Sequence, residues 1–126
     1  MFDEEVLTGQ IIECAIAVHK ALGPGFIEAV YHNALMLEFA ERGIRAEREV
    51  EVLVRYKGKL VGKHRLDVVV EEQVVLELKT VEALSKAHYA QLRSYLKASN
   101  IGTGLLINFS EAKADYRRVE IEVNQN

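Results

Sequence analysis

The segment GLLINF, residues 104–109, constrains the fold of this chain more than any other stretch, because it is apolar at almost every position. A β-strand of that composition has hydrophobic side chains on both of its faces. Such strands lie inside a sheet that is covered on each side, whereas a strand with one solvated face alternates polar and apolar residues. The sequence therefore predicts a central strand at 104–109 with a layer of structure on each face of its sheet.

Changes in hydrophobic period divide the remainder of the chain into helices and strands. Apolar residues at helical spacing predict a first helix that ends at Gly23-Pro24, a second at about 26–42 and a third at about 83–98. The core positions predicted for the second helix are Ile27, Val30, Ala34, Leu37 and Leu35. Strands are predicted at about 49–56, 60–70, 74–80 and 116–123. The resulting order, ααβββαββ, indicates an α/β layer domain in which the last helix is a crossover between strands.

Composition indicates one folded domain spanning residues 1–126. Apolar residues make up 49% and charged residues 28% of the chain, which is a globular rather than a disordered balance. The only cysteine, Cys14, excludes an intrachain disulfide and favours a reducing compartment. The start, MFDEEVLTGQ, lacks the basic and then apolar pattern of a secretory signal, and no apolar stretch approaches the ~20 residues that cross a bilayer. We therefore expect a cytoplasmic domain without membrane contact.

A charged pair interrupts the otherwise apolar strand VVLELKT at residues 74–80. Glu77 and Lys79 are two residues apart, so both side chains project to one face, roughly 7 Å apart along the strand. The opposite face is formed by the apolar residues Val74, Leu76 and Leu78. Two charged side chains within so apolar a strand indicate a functional site.

The hairpin before this strand brings a second carboxylate into register. If residues 71–73 form a three-residue loop, Val70 opposes Val74, and Asp67 opposes Glu77 at roughly 5 Å between Cβ atoms. Two carboxylates at that separation repel each other unless a positive charge lies between them. A divalent cation is one solution, since Mg²⁺ prefers one or two carboxylates with several retained waters. A surface network with a neighbouring lysine or arginine is the other, and a two-residue loop would turn Asp67 to the opposite face.

Polar groups on two helices border the same region. Glu28 lies beside the apolar stripe of the second helix, one turn before Tyr31. On the third helix, spacings of three and four place His88, Gln91 and Tyr95 on one stripe. A buried histidine or glutamine needs hydrogen-bond partners, and either an active-site wall or a satisfied core network would supply them.

Positive charge is concentrated in the hairpin at residues 55–65. The whole chain has a net charge of −3, which does not indicate general nucleic-acid binding. The hairpin nevertheless contains no acidic residue among its basic ones, which are Arg55, Lys57, Lys59, Lys63, His64 and Arg65. It is either a contact surface for a nucleic-acid backbone or a solvated hairpin whose lysines protect an edge strand.

Several of these motifs resemble a known family. Gly25, Glu28 and Tyr31 in GFIEAVY match the motif of the GxxExxY proteins, and AIAVHKALGPG, HRLDVVV, VVLELKT, HYAQLRSYLK and GLLINF are also similar to that family. The resemblance spans about residues 9–123. This family is placed in the PD-(D/E)XK nuclease superfamily. The resemblance therefore implies a restriction-endonuclease-like domain of three layers, with a mixed central sheet flanked by helices.

The resemblance also implies roles for individual residues. Asp67 matches the superfamily's first metal-binding aspartate, and Glu77 and Lys79 match the E-x-K half of its signature. Glu28 matches the helix-borne acid that completes the metal site in many members. Leu66 precedes the aspartate where the signature has proline, a common departure in the superfamily.

The function implied is hydrolysis of a phosphodiester in DNA or RNA, with Mg²⁺ or Mn²⁺ as the cofactor. The residues assigned are metal ligands (Asp67, Glu77, Glu28), a catalytic cation (Lys79) and substrate-positioning side chains (Gln91, Tyr95, Tyr31, His88). Gln91 and Tyr95 are similar to the superfamily's Q-x-x-x-Y element, and the basic hairpin would follow the nucleic-acid backbone. The alternative is a non-catalytic binding or assembly subunit that keeps the fold. A homodimer would double the contact area in either case.

Overall fold

The chain forms a five-stranded mixed sheet with three helices in the computed structural model, which describes residues 3–110 and 113–124. The elements follow one another in the predicted order. Their bounds are α1 Glu4–Leu22, α2 Glu28–Glu41, β1 Ala46–Tyr56, β2 Lys59–Val70, β3 Val74–Lys79, α3 Lys86–Ser99, β4 Thr103–Asn108 and β5 Asp115–Glu120. No helix within these residues is long and apolar enough to span a membrane.

The five strands lie side by side in chain order, so β1 and β5 are the two edges of the sheet. Neighbouring strands are antiparallel except β3 and β4, which are parallel. A parallel pair requires a crossover connection, and α3 provides it, as predicted. The segment GLLINF accordingly has a strand on each side of it.

Two hydrophobic cores, one on each face of the sheet, confirm the three-layer arrangement. On one face α1 and α2 pack against alternate residues of the central strands, including Leu76 and Leu105. On the other face α3 packs against the residues between them, including Val75 and Leu106. Every residue of β4 is buried, because helices cover both of its faces.

Gly104 allows α3 to approach the sheet closely. A Cβ atom at this position would lie 2.9 Å from Cδ1 of the buried Leu92. That separation is well inside the optimum of about 3.5–4.0 Å for two carbon atoms. The missing side chain therefore sets the spacing between α3 and β4, and with it the position of Tyr95, one turn further along the helix.

The second helix faces the core with only part of the predicted set of residues, since Leu35 is buried and Ala34 packs against the core as predicted. Ile27 and Leu37 are 71% and 69% exposed, so their assignment to the core is wrong. The buried apolar residues of the helix recur every four positions and are Tyr31, Leu35 and Phe39. The helix is apolar around much of its circumference, so the sequence pattern leaves its rotation undetermined. Stacking of the Tyr31 ring on Phe109, at 4.6 Å between centroids, accompanies the observed rotation.

The hairpin of β1 and β2 extends beyond the part of the sheet that the helices cover. All residues from 55 to 63 are exposed. Tyr56, which continues the alternation of Val50, Val52 and Val54 in the predicted strand at 49–56, is 63% exposed. The sheet is thus a covered core with one projecting, strongly basic hairpin.

Candidate functional site

The charged pair on β3 lies where the sequence predicts it. Val75 packs against α3, so Glu77 and Lys79, which alternate with the buried Leu76 and Leu78, lie on the same face at the carboxyl end of the strand. The Lys79 ammonium is 3.5 Å from Oε2 of Glu77. Glu77 is only 2% exposed, so its carboxylate is almost entirely removed from water.

The β2–β3 hairpin has the predicted register. Residues 71–73 form the three-residue loop, and Val70 pairs with Val74. The ladder continues to the pair of Val68 and Leu76 and stops one position before Asp67 and Glu77 would pair. Oδ2 of Asp67 instead accepts a hydrogen bond from the backbone N–H of Leu78 at 3.0 Å. The two strands therefore separate at the site, and the side chain of Asp67 replaces a backbone partner.

An irregularity in β1 accompanies this separation. Glu49 has a φ of 52°, and it is omitted from the ladder in which its neighbours pair with Val68 and Leu66. Leu66 packs in the core beneath α3, whereas Val68, two residues later, packs in the core beneath α1 and α2. Even-numbered residues of β2 thus pack beneath α3 before Asp67 and beneath α1 and α2 after it.

Burial and like charge act together on Glu77. Burial of the carboxyl group is the main cause that raises the pKa of Glu77 from 4.5 to about 7, and the negative charge of Asp67 adds to it. The ammonium of Lys79 opposes the shift but does not cancel it. The site therefore has more negative charge than its own lysine neutralises, which favours either a proton or an added cation.

Glu28, the first residue of α2, lies within electrostatic reach of the same site. The exposed Glu28 carboxyl has a raised pKa, caused first by partial desolvation and then by the charge of Asp67, with Lys79 acting in the opposite direction. The hydroxyl of Tyr31 donates to the carbonyl of Gly23 at 2.6 Å and accepts from the N–H of Phe26 at 3.2 Å. Tyr31 is therefore the residue that fastens the Gly-Pro-Gly loop in front of Glu28.

Helix α3 contributes Tyr95 to the site. Burial, and then the charges of Glu77 and Asp67, raise the pKa of the Tyr95 phenol, which places it within electrostatic reach of both acids. Its ring lies 4.9 Å from that of His64 on β2. Gln91 is exposed on the helix surface one turn earlier. The predictions of a positioning role for Tyr95 and Gln91 stay predictions.

His88 has a structural contact that the sequence analysis did not anticipate. Its Nδ1 accepts a hydrogen bond from the backbone N–H of Ser85, and the Ser85 hydroxyl accepts one from the His88 backbone N–H. The two residues form a capping box at the start of α3. This contact fixes where the helix begins, whatever else the imidazole does.

Two residues near the site escaped the sequence analysis. His32, four residues after Glu28 on α2, is buried; burial and the charge of Arg48 lower its pKa, while Asp67 opposes them. Its spacing from Glu28 was the signal that could have identified it. The other is the buried Asn108, which donates to the carbonyl of Val81 and accepts from its N–H. Asn108 pairs with Lys79 in the sheet, so this clamp holds the chain just after the lysine.

The basic residues predicted to contact nucleic acid lie on the projecting hairpin and are all exposed: Arg55, Lys57, Lys59, Lys63 and Arg65. The Lys63 ammonium is 3.6 Å from Glu51 on the neighbouring strand. An ion pair between two such exposed groups contributes at most about 1 kcal/mol, so it leaves Lys63 free to contact a phosphate.

A metal ion held by the described acids would have two carboxylate ligands rather than three. Across residues 3–110 and 113–124, no three His, Cys, Asp or Glu side chains are grouped closely enough to hold a metal ion. Asp67 and Glu77 could still act together, because Mg²⁺ is commonly held by one or two carboxylates and retains several waters. Burial first, and then the negative charge of Asp67, raise the pKa of Glu77, and a bound cation would stabilise the ionised form of this carboxyl group.

The chain is similar to known proteins over most of its length. A family model described as the PD-(D/E)XK nuclease superfamily matches residues 5–119. The crystal structure of SSO0001 is similar in fold, with a TM-score of 0.60 and 23% sequence identity. That match covers 77% of this chain and 51% of the other, so this chain spans about half the length of SSO0001. No curated protein matches the chain in sequence.

Proposed function

The chain belongs to the PD-(D/E)XK nuclease superfamily, and on that premise we propose that it hydrolyses phosphodiester bonds in DNA or RNA with a divalent cation. The observation that carries the proposal is the meeting of Asp67, Glu77 and Lys79 where β2 and β3 separate. A purely structural ion pair would need one acid for one lysine. Here the almost fully buried carboxylate of Glu77 lies beside the ammonium of Lys79 and also experiences the negative charge of Asp67.

Asp67 and Glu77 would hold the cation, with Glu28 contributing through a water or as a further ligand. When bound, Mg²⁺ or Mn²⁺ would supply Lewis acidity toward the phosphate oxygens and make a nearby water more acidic. The hydrogen bond from the Leu78 N–H to Asp67 would hold that carboxylate in one orientation. This restraint matters because metal ligands bind most strongly when neighbouring groups already orient them.

Lys79 would act on the reacting phosphate. Its ammonium is 3.5 Å from Glu77 and remains partly exposed, so it can reach a substrate while it stays beside the acids. In that position it would orient the attacking water or offset the negative charge that develops on the phosphoryl oxygens. Tyr95 and Gln91 would orient the substrate from α3, and Tyr31 would act through the loop that precedes Glu28.

The projecting hairpin concentrates positive charge in a chain whose net charge is −3. Its five exposed lysines and arginines would follow a nucleic-acid backbone by neutralising phosphates, which makes binding weaken as salt is raised. The hairpin is continuous with β2, the strand that carries Asp67, so a backbone bound along it would be directed toward the site. DNA and RNA are both compatible with contacts of this kind.

A non-catalytic binding subunit is the second candidate function. One observation favours it: the absence of a three-acid metal cluster among the described residues. Such a subunit would bind nucleic acid through the hairpin without requiring Glu77 or Lys79. The two functions therefore differ in which residues they need.

The test is a cleavage assay with Mg²⁺ or Mn²⁺ on single-stranded, duplex and branched DNA and on RNA. We expect the parent chain to cut at least one of these and Glu77→Gln to lose about 10²-fold or more of that rate, the scale of a lost transition-state electrostatic contact. Glu41→Gln, which removes an exposed carboxylate at the end of α2, is the matched control and should cut at the parental rate.

Binding measured on the same substrates separates the two functions. Binding without cleavage by the parent, unchanged in Glu77→Gln, would replace the nuclease proposal with the binding subunit. Cleavage that survives in Glu77→Gln would place the active centre elsewhere. Removal of metal with a chelator should abolish cleavage and leave the hairpin-dependent binding in place.

A further inference from the structure

Strand β1 is a long edge strand whose outer side is unpaired within the described part of the chain. It has eleven residues and pairs only with β2. Two large apolar side chains on it are exposed, Leu53 at 43% and Tyr56 at 63%. An exposed edge of this length is a template for another strand, and proteins normally blunt it or use it.

The charges nearest Leu53 in β1 are complementary. Within the strand, Glu47, Arg48, Glu49 and Glu51 precede Leu53 and Arg55 follows it, so the residue two positions before Leu53 is acidic and the residue two positions after it is basic. If a second copy of the strand is laid antiparallel with Leu53 opposite Leu53, Glu51 of each copy faces Arg55 of the other. Opposite charges directly across a pair of strands stabilise the pairing.

We propose that this chain forms a homodimer in which the two copies pair their β1 strands antiparallel about Leu53. The contact is isologous, so each favourable pair occurs twice. The two five-stranded sheets would become one continuous sheet of ten strands, and the inference does not depend on the chemistry proposed for the acid cluster.

The extended part of β1 is compatible with this centre. Glu49, with a φ of 52°, interrupts extended structure before residue 50, and the strand ends at Tyr56, where the hairpin turn begins. Leu53 is the middle residue of the segment 50–56, so a pairing centred on Leu53 would use all of that segment. The register shift at the end of the hairpin leaves Val61 of β2 unpaired, so β1 itself stays continuous there.

A groove beside β1 matches the exposed tyrosine. In the proposed register Tyr56 of one copy faces Val50 of the other, on the same side of the sheet. Val50 lines a groove of about 420 Å³ together with Val52, Leu66 and Val69 and the end of α3. The tyrosine ring, exposed in the single chain, would enter this apolar groove and be removed from water.

The ion pair that Glu51 makes within its own chain is weak. Glu51 lies 3.6 Å from Lys63 of its own chain, but both side chains are more than half exposed. Such pairs contribute little to stability, so Glu51 remains available to a second copy.

Sedimentation velocity on charge variants tests both the dimer and its register. The parent, of 14.2 kDa per copy, should sediment as a dimer at protein concentrations of about 1–100 µM, as suits an interface of small area. Glu51→Arg alone and Arg55→Glu alone should each place like charges opposite each other at two symmetric positions. Each should weaken association by roughly tenfold or more. A mixture of these two variant chains should form heterodimers, because each supplies the charge that the other needs.

The matched control is Arg117→Glu, the same charge change on β5 at the opposite edge of the sheet, which should leave the dimer intact. Tyr56→Ser should weaken association without changing the charge pattern. Circular dichroism would check that each variant keeps its fold. A monomeric parent over this range overturns the proposal, as would occupation of this edge by nucleic acid or another protein in place of a second copy. Association that is unchanged by both charge reversals would also overturn it. So would a failure of the two variant chains to associate when they are mixed.

Discussion

The carboxylate of Asp67 accepts a hydrogen bond from the backbone N–H of Leu78 at 3.0 Å, at the position where the β2–β3 ladder has just ended. In a continuous ladder that N–H would bond to a carbonyl of the neighbouring strand. Here a side chain replaces the carbonyl, so the strands can separate without leaving a buried donor unsatisfied. The same contact fixes the acid beside Glu77. Asp67 therefore combines a structural role with the proposed metal-binding one, and two substitutions can distinguish them.

Asp67→Asn should keep the structural role and remove the charge. The amide oxygen can still accept from Leu78, and the loss of a negative charge relieves the repulsion that raises the pKa of Glu77. We expect the metal-free variant to be at least as stable as the parent. Mg²⁺ should raise the melting temperature of the parent by mass action and do little for the variant. Equal Mg²⁺ shifts in both proteins would mean that the ion binds elsewhere.

Asp67→Ala is the companion variant and should behave differently. It removes the charge and also leaves the Leu78 N–H without its acceptor. An unsatisfied buried donor costs about 1–3 kcal/mol, so chemical denaturation should show a loss of that order relative to Asp67→Asn. Equal stability of the two variants would show that the hydrogen bond is not what holds the strands at this point.

The pKa of Glu77 predicts a specific dependence of stability on pH. The group has a pKa of about 7 in the folded chain and 4.5 as its ordinary value. Between those values the folded state binds more protons than the unfolded state, so the free energy of unfolding falls as the pH rises. The stabilising contribution of protonated Glu77 is complete below about pH 4.5 and lost above about pH 7.

Glu77→Gln should remove this dependence in the metal-free protein. Relative to the parent, its free energy of unfolding should rise with pH between about 4.5 and 7, by an amount on the order of 2–3 kcal/mol. Urea denaturation at a series of pH values measures the difference. Glu41→Gln, at an exposed position, should follow the parent at every pH. A constant difference between Glu77→Gln and the parent would contradict the raised pKa.

Tyr31→Phe should loosen the loop in front of Glu28 while it keeps the aromatic core. The variant retains the stacking on Phe109 but loses the hydrogen bonds to Gly23 and Phe26. We expect a loss of about 1–2 kcal/mol in the free energy of unfolding. Hydrogen exchange at the amide of Phe26 should become faster, and amides in α3 should be unaffected. Cleavage should fall in proportion to how far Glu28 is displaced, whereas Mn²⁺ binding to Asp67 and Glu77 should persist.

The sequence alone was sufficient to predict the features that depend on a local pattern of residues. Alternation and a three-residue loop predict the pairing of Val70 with Val74 and the common face of Glu77 and Lys79, and both are confirmed. The apolar composition of residues 104–109 predicts a strand covered on both faces, which is also confirmed. In each case the residues that determine the feature lie within one short stretch of the chain.

Features that depend on distant contacts could not be predicted in this way. The separation of β2 from β3 at Asp67 accompanies an irregularity at Glu49, on a different strand. The rotation of α2 is accompanied by a contact between Tyr31 and Phe109, which lies far along the chain and meets Tyr31 only in the folded protein. The hydrogen bonds by which His88 caps α3 were not predicted either, since spacing alone does not reveal which partner a capping residue takes. The positioning role of His88 stays a prediction.

Lys79→Ala separates catalysis from metal binding and from nucleic-acid binding. The variant keeps both carboxylates, so Mn²⁺ binding should persist or become tighter once the competing ammonium, 3.5 Å from Glu77, is removed. Cleavage should fall by roughly 10²-fold or more, the scale of a lost electrostatic contact in the transition state. Affinity for nucleic acid should change only slightly, because one cation among several contributes a single increment to a salt-dependent total. Lys97→Ala, which removes an exposed lysine from the last turn of α3, is the control for loss of charge and should cut at the parental rate. If Lys79→Ala cuts as fast as the parent, the lysine has no catalytic role, and its ammonium serves only to neutralise Glu77.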